Sequence, residues 1–253
     1  MNDAERIKAV LLSQKKTQLK GSLFHWTQVA MAYNSNKIEG SHLTEEQTEQ
    51  IFVEKRISPE HSRSIWVDDV IEAVNHFRLF DYMLDTLDQP LSFEMLCKMN
   101  AMLKLGTYLA DDPDNNVGGF KKYPNEIGFF NVVHTAAPEE VQAKLRSLID
   151  SYDPKDMDLE DIAAFHVRFE RIHPFTDGNG RVGRILMFRQ CLNNGQIPII
   201  VLDDYRDFYI RGLREWSHDK QYLLDTLGFK QDYYLEKAST LGLLNNDKAK
   251  SIE

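Results

Sequence analysis

The sequence predicts an all-α chain interrupted by one short β-hairpin, and three observations carry that prediction. Apolar side chains recur at helical spacing in block after block. One Gly-, Pro- and Asn-rich interval, 106–138, holds an apolar, β-branched run from Glu126 to His134 that has the pattern of a strand or hairpin. No repeat or low-complexity tract breaks the chain, whose 253 residues fit one sizeable domain with short attachments.

Taken in order, residues 23–38 predict a helix with Trp26, Val29, Ala30 and Tyr33 as its buried stripe and Gly40 as its C′ cap. Thr44-Glu45-Glu46-Gln47 opens a helix to about residue 55 by the capping-box pattern. A long amphipathic helix over 65–87 offers Val67, Val70, Ile71, Val74, Phe77, Leu79 and Phe80 to the core, and another follows Pro90 over 91–105. After the hairpin, placed at 126–136, Pro138, Glu139 and Glu140 form the first turn of a new helix, where proline and acids belong. Helix 159–172 carries Ile162, Phe165, His166 and Phe169, and Val182, Ile185, Leu186 and Phe188 start the next. Helices over 203–216 and 229–240 complete the bundle before a polar tail, 241–253. This divides the chain into an N-terminal region (1–62), a core (63–216) and a C-terminal helix with its tail (217–253).

Between two of these helices lies His173-Pro174-Phe175-Thr176-Asp177-Gly178-Asn179-Gly180-Arg181-Val182-Gly183-Arg184. It combines a proton-transfer group, a carboxylate, an amide, three glycines and two arginines. The free backbone N–H groups and positive dipole end of the second helix favour an anion there. Arg181 and Arg184 stack positive charge on that same positive end, a local violation that an anionic ligand resolves.

This string resembles the complete signature of Fic-domain proteins, His-Pro-Phe-x-Asp-Gly-Asn-Gly-Arg-x-x-Arg, and the helical surroundings fit from about 65 to 215. The resemblance implies a Fic-type bundle that transfers AMP from ATP to a Ser, Thr or Tyr hydroxyl of a protein, releasing pyrophosphate. His173 is then the general base, its imidazole suited by an ordinary pKa near neutrality. Asp177 is the ligand of Mg²⁺, a hard ion that takes one or two carboxylates plus substrate phosphates. Gly178 and Gly180 bring the backbone close to the α-phosphate, with the Asn179 amide donating to the same oxygens. Arg181 and Arg184 hold the β- and γ-phosphates bidentately. Tyr209 or Tyr205 stands near the adenine or serves as a core aromatic.

The intact Gly180, Arg181 and Arg184 favour AMP transfer over the phosphate transfer of the related Doc proteins. UTP and choline nucleotides stay open as donors, as does removal of AMP from the target. A non-enzymatic helical module is the remaining alternative.

A second segment, Ser35-Asn36-Lys37-Ile38-Glu39-Gly40, resembles the Ser/Thr-x-x-x-Glu-Gly/Asn inhibitory motif of many Fic proteins, in the subgroup whose inhibitory helix precedes the catalytic motif. Glu39 puts negative charge on a negative helix end, and Arg184 is the natural cation to offset it. A Glu39–Arg184 pair in place of the γ-phosphate contact is the expectation, with Ser35 bonding near Asn179 or Arg181. The 126–136 hairpin resembles the flap along which family members lay the target backbone. Gly118-Gly119-Phe120-Lys121 resembles the Gly-x-x-Arg stretch before that flap, with lysine where arginine is common. Dimers and self-modification also follow from the resemblance.

A net charge of -9 argues against a general nucleic-acid or acidic-membrane surface, while a local basic pocket of Arg168, Arg171, Arg181 and Arg184 is compatible with it. Cys97 and Cys191 lie in apolar helical contexts and read as buried thiols of a reducing compartment. The polar N-terminus and the lack of any membrane-length apolar run make cytoplasmic location the expectation. The length beyond 216 predicts no winged helix for DNA.

Overall fold

The computed structural model describes residues 1–58, 64–127, 133–151 and 157–241. Among them the chain forms ten α-helices and one two-stranded antiparallel sheet. They are α1 (Asp3–Thr17), α2 (Leu23–Ile38), α3 (Glu45–Glu54), α4 (Val67–Asp85), α5 (Phe93–Lys104), β1 (Glu126–Ile127), β2 (Val133–His134), α6 (Pro138–Asp150), α7 (Leu159–Ile172), α8 (Asn179–Asn193), α9 (Arg206–Glu215) and α10 (Gln221–Thr240).

The centre of the molecule is α8. Every residue from Asn179 to Leu192 is buried, because small and apolar side chains surround the helix on all sides. Helices α1, α2, α4, α5 and α7 all pack against it. Even Arg189 is absorbed: its guanidinium donates to the carbonyls of Thr86, Leu87 and Gln89, groups left over where α4 ends. The N-terminus of α8, which carries the glycine-rich string, is therefore set by the core itself.

The second enclosed helix is α2, capped by Ser22 on the His25 N–H and ending at Glu39, with Gly40 at φ +99°. The expected stripe is corrected here. Trp26 and Tyr33 are only half-buried, whereas Phe24, Thr27, Gln28, Met31, Asn34 and Asn36 are all buried. The helix is enclosed nearly all round by α1, α3, α4 and α8, so no single stripe describes it.

Other boundaries shift for local reasons. A helix not foreseen, α1, starts at an Asn2–Glu5 capping box and buries Ala4, Ile7 and Leu11 along one face. In α4, Val67 is 72% exposed rather than core, since Trp66 is the extended N-cap; Val70 packs half-buried and full burial begins at Ala73. α10 begins at Gln221 instead of 229 and runs through Gly228, where an added Cβ would meet nothing closer than 3.8 Å. A glycine inside a helix costs about 1 kcal/mol relative to alanine, which buried Leu223, Leu227 and Tyr234 offset.

The expected hairpin is present at its base, with Glu126 opposite His134 and Ile127 opposite Val133. Its turn, 128–132, the expected 62/63 boundary and the polar tail beyond 241 lie outside the described residues.

Candidate active site

α7 stops at His173, which takes the left-handed C-cap conformation (φ 50°, ψ 63°) and bonds its N–H back to the Phe169 carbonyl at 3.0 Å. The imidazole Nδ1 lies 3.2 Å from the Glu170 carbonyl, an acceptor only, so Nδ1 carries the proton and Nε2 keeps its lone pair. Burial lowers the imidazole pKa to about 4; Lys121 adds to this, and the bond to the Glu170 carbonyl partly opposes it. The ring is therefore neutral at neutral pH.

Pro174 and Phe175 turn the chain inward, and Phe175 is buried against Phe120 as the core anchor. Asn179 closes the loop on itself: its Oδ1 accepts from the Phe175 N–H and its Nδ2 donates one N–H to the Phe175 carbonyl, both at 2.8 Å. What α8 offers an anion is the backbone of its first turn. Gly178, at φ +84°, is the turn where only glycine is at ease. At Gly180, an added Cβ would sit 2.3 Å from Glu39 Oε1 and 2.9 Å from Arg184 Nη1.

Arg184 is buried and fully engaged by the end of α2. Its Nη2 donates to Glu39 Oε1 at 2.7 Å and to the Ser35 carbonyl at 2.9 Å, and its Nε donates to Ser35 Oγ at 2.9 Å. Ser35 thus binds Arg184, not Asn179 or Arg181 as expected, because one helical turn aligns residues 35 and 39 on the same guanidinium. Desolvation pushes the Glu39 carboxyl up, but Arg184 and then Arg181 outweigh it and hold it below its ordinary value. The carboxylate is ionised and lies over the first turn of α8.

Arg181 points the other way. It binds Asp177 at 3.1 Å and also pairs with Glu72 of α4, while Lys104 at the end of α5 pairs with both Glu72 and Asp177. Burial raises the Asp177 pKa, yet Arg181 and Lys104 prevail and keep it well below the usual carboxylate range. As one ionised, partly exposed hard-oxygen donor, Asp177 fits a single protein ligand to Mg²⁺. Among the described residues no three His, Cys, Asp or Glu side chains gather, so the other ligands would come from a nucleotide and water.

A cavity of about 380 Å³ opens beside these groups, lined by Glu39, Glu170, His173, Gly180, Arg184, Arg206 and Arg214 together with the more apolar Ile38, Val167, Tyr209, Ile210 and Leu213. Tyr209 is a core aromatic whose phenol bonds His166 Nε2 at 2.6 Å, and it is among the residues that line the cavity. Tyr205 instead packs with Phe208 and Phe229. Of the expected basic pocket, Arg171 reaches this cavity, whereas Arg168 lines a separate one with Lys144.

Sequence reasoning missed Asn100, whose amide donates to the Asp177 carbonyl at 2.9 Å and accepts from Gly118 N–H. It also missed Lys104 and Glu72. The available signal was polar side chains among Met99 and Leu103 on the packed face of α5. Lys121, left without a role, is buried. Its ammonium donates to Asn125, Thr135 and the Ile172 carbonyl, and its N–H to the Pro174 carbonyl, fastening the hairpin base to the histidine loop.

Residues 90–191, from the approach to α5 into α8, match the Fic/DOC family model. Over that stretch the chain is similar to Fic domains. It is 28% identical over 196 residues to a protein adenylyltransferase Fic of Nematostella vectensis, covering 74% of this chain and 42% of that relative. A probable protein adenylyltransferase of Aquifex aeolicus is 44% identical over 71 residues, 27% of this chain and 22% of its own length. The chain thus spans less than half the length of these relatives. In fold it is similar to a Fic domain-containing signaling protein of Bacteroides thetaiotaomicron, with a TM-score of 0.72, 22% identity, and coverage of 93% of this chain and 95% of that one.

Proposed function

We propose that this protein is a self-inhibited protein AMP-transferase. The observation that carries the reading is the Glu39–Arg184 pair, a carboxylate laid over Gly180 at the mouth of the cavity that His173 lines. An anion-binding helix end already holding an anion from its own chain is the arrangement of a competitive plug.

With Glu39 displaced, the first turn of α8 and Arg184 receive the triphosphate, and the apolar wall of Ile38, Val167, Tyr209, Ile210 and Leu213 receives the base. Mg²⁺, held by Asp177, would neutralise phosphate charge. A hydroxyl oxygen of the target attacks the α-phosphorus and its proton passes to His173 Nε2. The bond between the α-phosphorus and the bridging oxygen to the β-phosphate breaks, and pyrophosphate leaves. His173 is suited to this because burial keeps it neutral and the Glu170 carbonyl fixes its tautomer. Arg181 and Arg184 supply charge that is in place before the reaction. The hairpin, tied to the histidine loop through Lys121, is where a target segment docks by its main chain.

Mass spectrometry after incubation with ATP and Mg²⁺ tests this. The Glu39→Gly protein gains AMP on itself or on an added lysate protein, and the Glu39→Gly/His173→Ala protein gains none. A phosphate adduct, or UMP formed only from UTP, replaces the proposed reaction with another transfer. No adduct and no nucleotide binding refutes it.

A further inference from the structure

Asp177 is enclosed in a ring of alternating charge. Lys104 touches Asp177 and Glu72, and Arg181 touches the same two carboxylates. The four side chains come from α4, α5, the loop and α8. Lys104 is 2% exposed and Arg181 3%, while the Asp177 side chain is 36% exposed and opens outward. Neither Lys104 nor Glu72 belongs to the signature string, and an amphipathic helix gives no local reason to aim an ammonium at a loop carboxylate.

An ammonium and a divalent cation compete for a carboxylate oxygen, since each neutralises it and each repels the other. We infer that Lys104 is the resident counter-cation of Asp177 and that Glu72 is the acceptor that lets it go when a metal–nucleotide complex arrives. The inference rests on the AMP-transferase reading and assigns two further residues to its metal site. Taking Asp177 from Lys104 alone would strand a buried ammonium, which is costly. Glu72 already offers one carboxylate oxygen to Lys104 and the other to Arg181. Both cations therefore keep a partner after Asp177 turns to the metal. Lys104 then sets the threshold: free divalent ion displaces it poorly, and ion arriving with the triphosphate displaces it well because the phosphates bring most of the ligands.

The two residues act with opposite sign, which makes the test specific. Mn²⁺ serves as the probe, its free fraction read by electron paramagnetic resonance in the full-length Glu39→Gly protein with α,β-methylene-ATP. Lys104→Met should tighten Mn²⁺ about tenfold, and the isosteric Glu72→Gln should weaken it about tenfold, the size typical of groups that orient metal ligands. Asp177→Asn is the control that loses the site. If Lys104→Met does not fold, as read by circular dichroism, Glu72→Gln alone decides. Mn²⁺ affinity that stays unchanged, or moves in the same direction in both variants, overturns the inference. Binding of α,β-methylene-ATP to the Glu39→Gly protein, measured separately by calorimetry in EDTA, tests the underlying reading. Nucleotide binding with indifferent Mn²⁺ affinities sinks the inference alone, and no nucleotide binding sinks both.

Discussion

On the proposed reading, one guanidinium decides whether the site is open. Arg184 has three hydrogen bonds to Ser35 and Glu39, of which the one to Glu39 is the contact a nucleotide would replace on the proposed reading. Glu39→Ala should therefore cost about 1–2 kcal/mol of stability without ligand, less than a fully buried pair because the Glu39 side chain is 31% exposed. ATP should then raise the melting temperature of the variant by several degrees and that of the parent much less, a comparison that differential scanning fluorimetry makes directly. His173 gives a pH prediction. With its pKa lowered to about 4, it stays unprotonated well below neutrality, so transfer by the Glu39→Ala protein should hold down to about pH 5 and fall only beyond. A half-maximal rate near the ordinary histidine pKa would mean that the ring titrates exposed. These residues were legible because each breaks a local rule: arginines at a positive helix end, a glutamate at a negative one. Glu72 breaks none, and Asn100 and Lys104 give only the weaker signal of polar side chains beside Met99 and Leu103 on the packed face of α5. A polar side chain in an amphipathic helix reads as solvent-facing, and only the tertiary fold reveals that these three face the loop.

At the level of the element, the segment proposed to be inhibitory is the last turn of a helix that is otherwise core. Phe24, Thr27, Gln28 and Met31 are sealed against neighbours, and Thr27 Oγ1 bonds the Tyr234 phenol at 2.7 Å. Relief of inhibition is thus expected to fray the end of α2 rather than undock the helix. In hydrogen exchange, amides of 36–42 in the Glu39→Ala protein should exchange at least about tenfold faster with residues 27–33 still protected, as local opening at a helix terminus allows. Loss of protection along the whole helix would show the opposite. The capping box at Thr44 and the proline start of α6 made those boundaries readable from sequence. The start of α10 was not, since Gly228 mimics a stop signal and only packing against α7 and α9 reveals continuity. Nor was the full enclosure of α2, because buried Gln28, Asn34 and Asn36 look like an exposed face until their surroundings are known.

The whole molecule carries its acid sensitivity in the same region. Burial lowers His76 and His166 to about 3 and His173 to about 4, so the unfolded chain binds their protons first as pH falls below about 6.5. Folded stability drops through that window. Glu170 works against them: burial raises it to about 8, so the folded state takes its proton first and gains as pH falls from about 8 to 4.5. Three histidines outweigh one carboxyl, and urea unfolding at pH 5 against pH 6 should show a net loss of roughly 1–3 kcal/mol. Glu170→Gln should remove the opposing gain and steepen the dependence. On the proposed reading α2 is at once a brake on chemistry and a beam of the core, so the two cannot be parted by trimming. On that reading a descendant of this chain would become unregulated through a point change at position 39, whereas one that discards the segment would forfeit its fold along with its restraint.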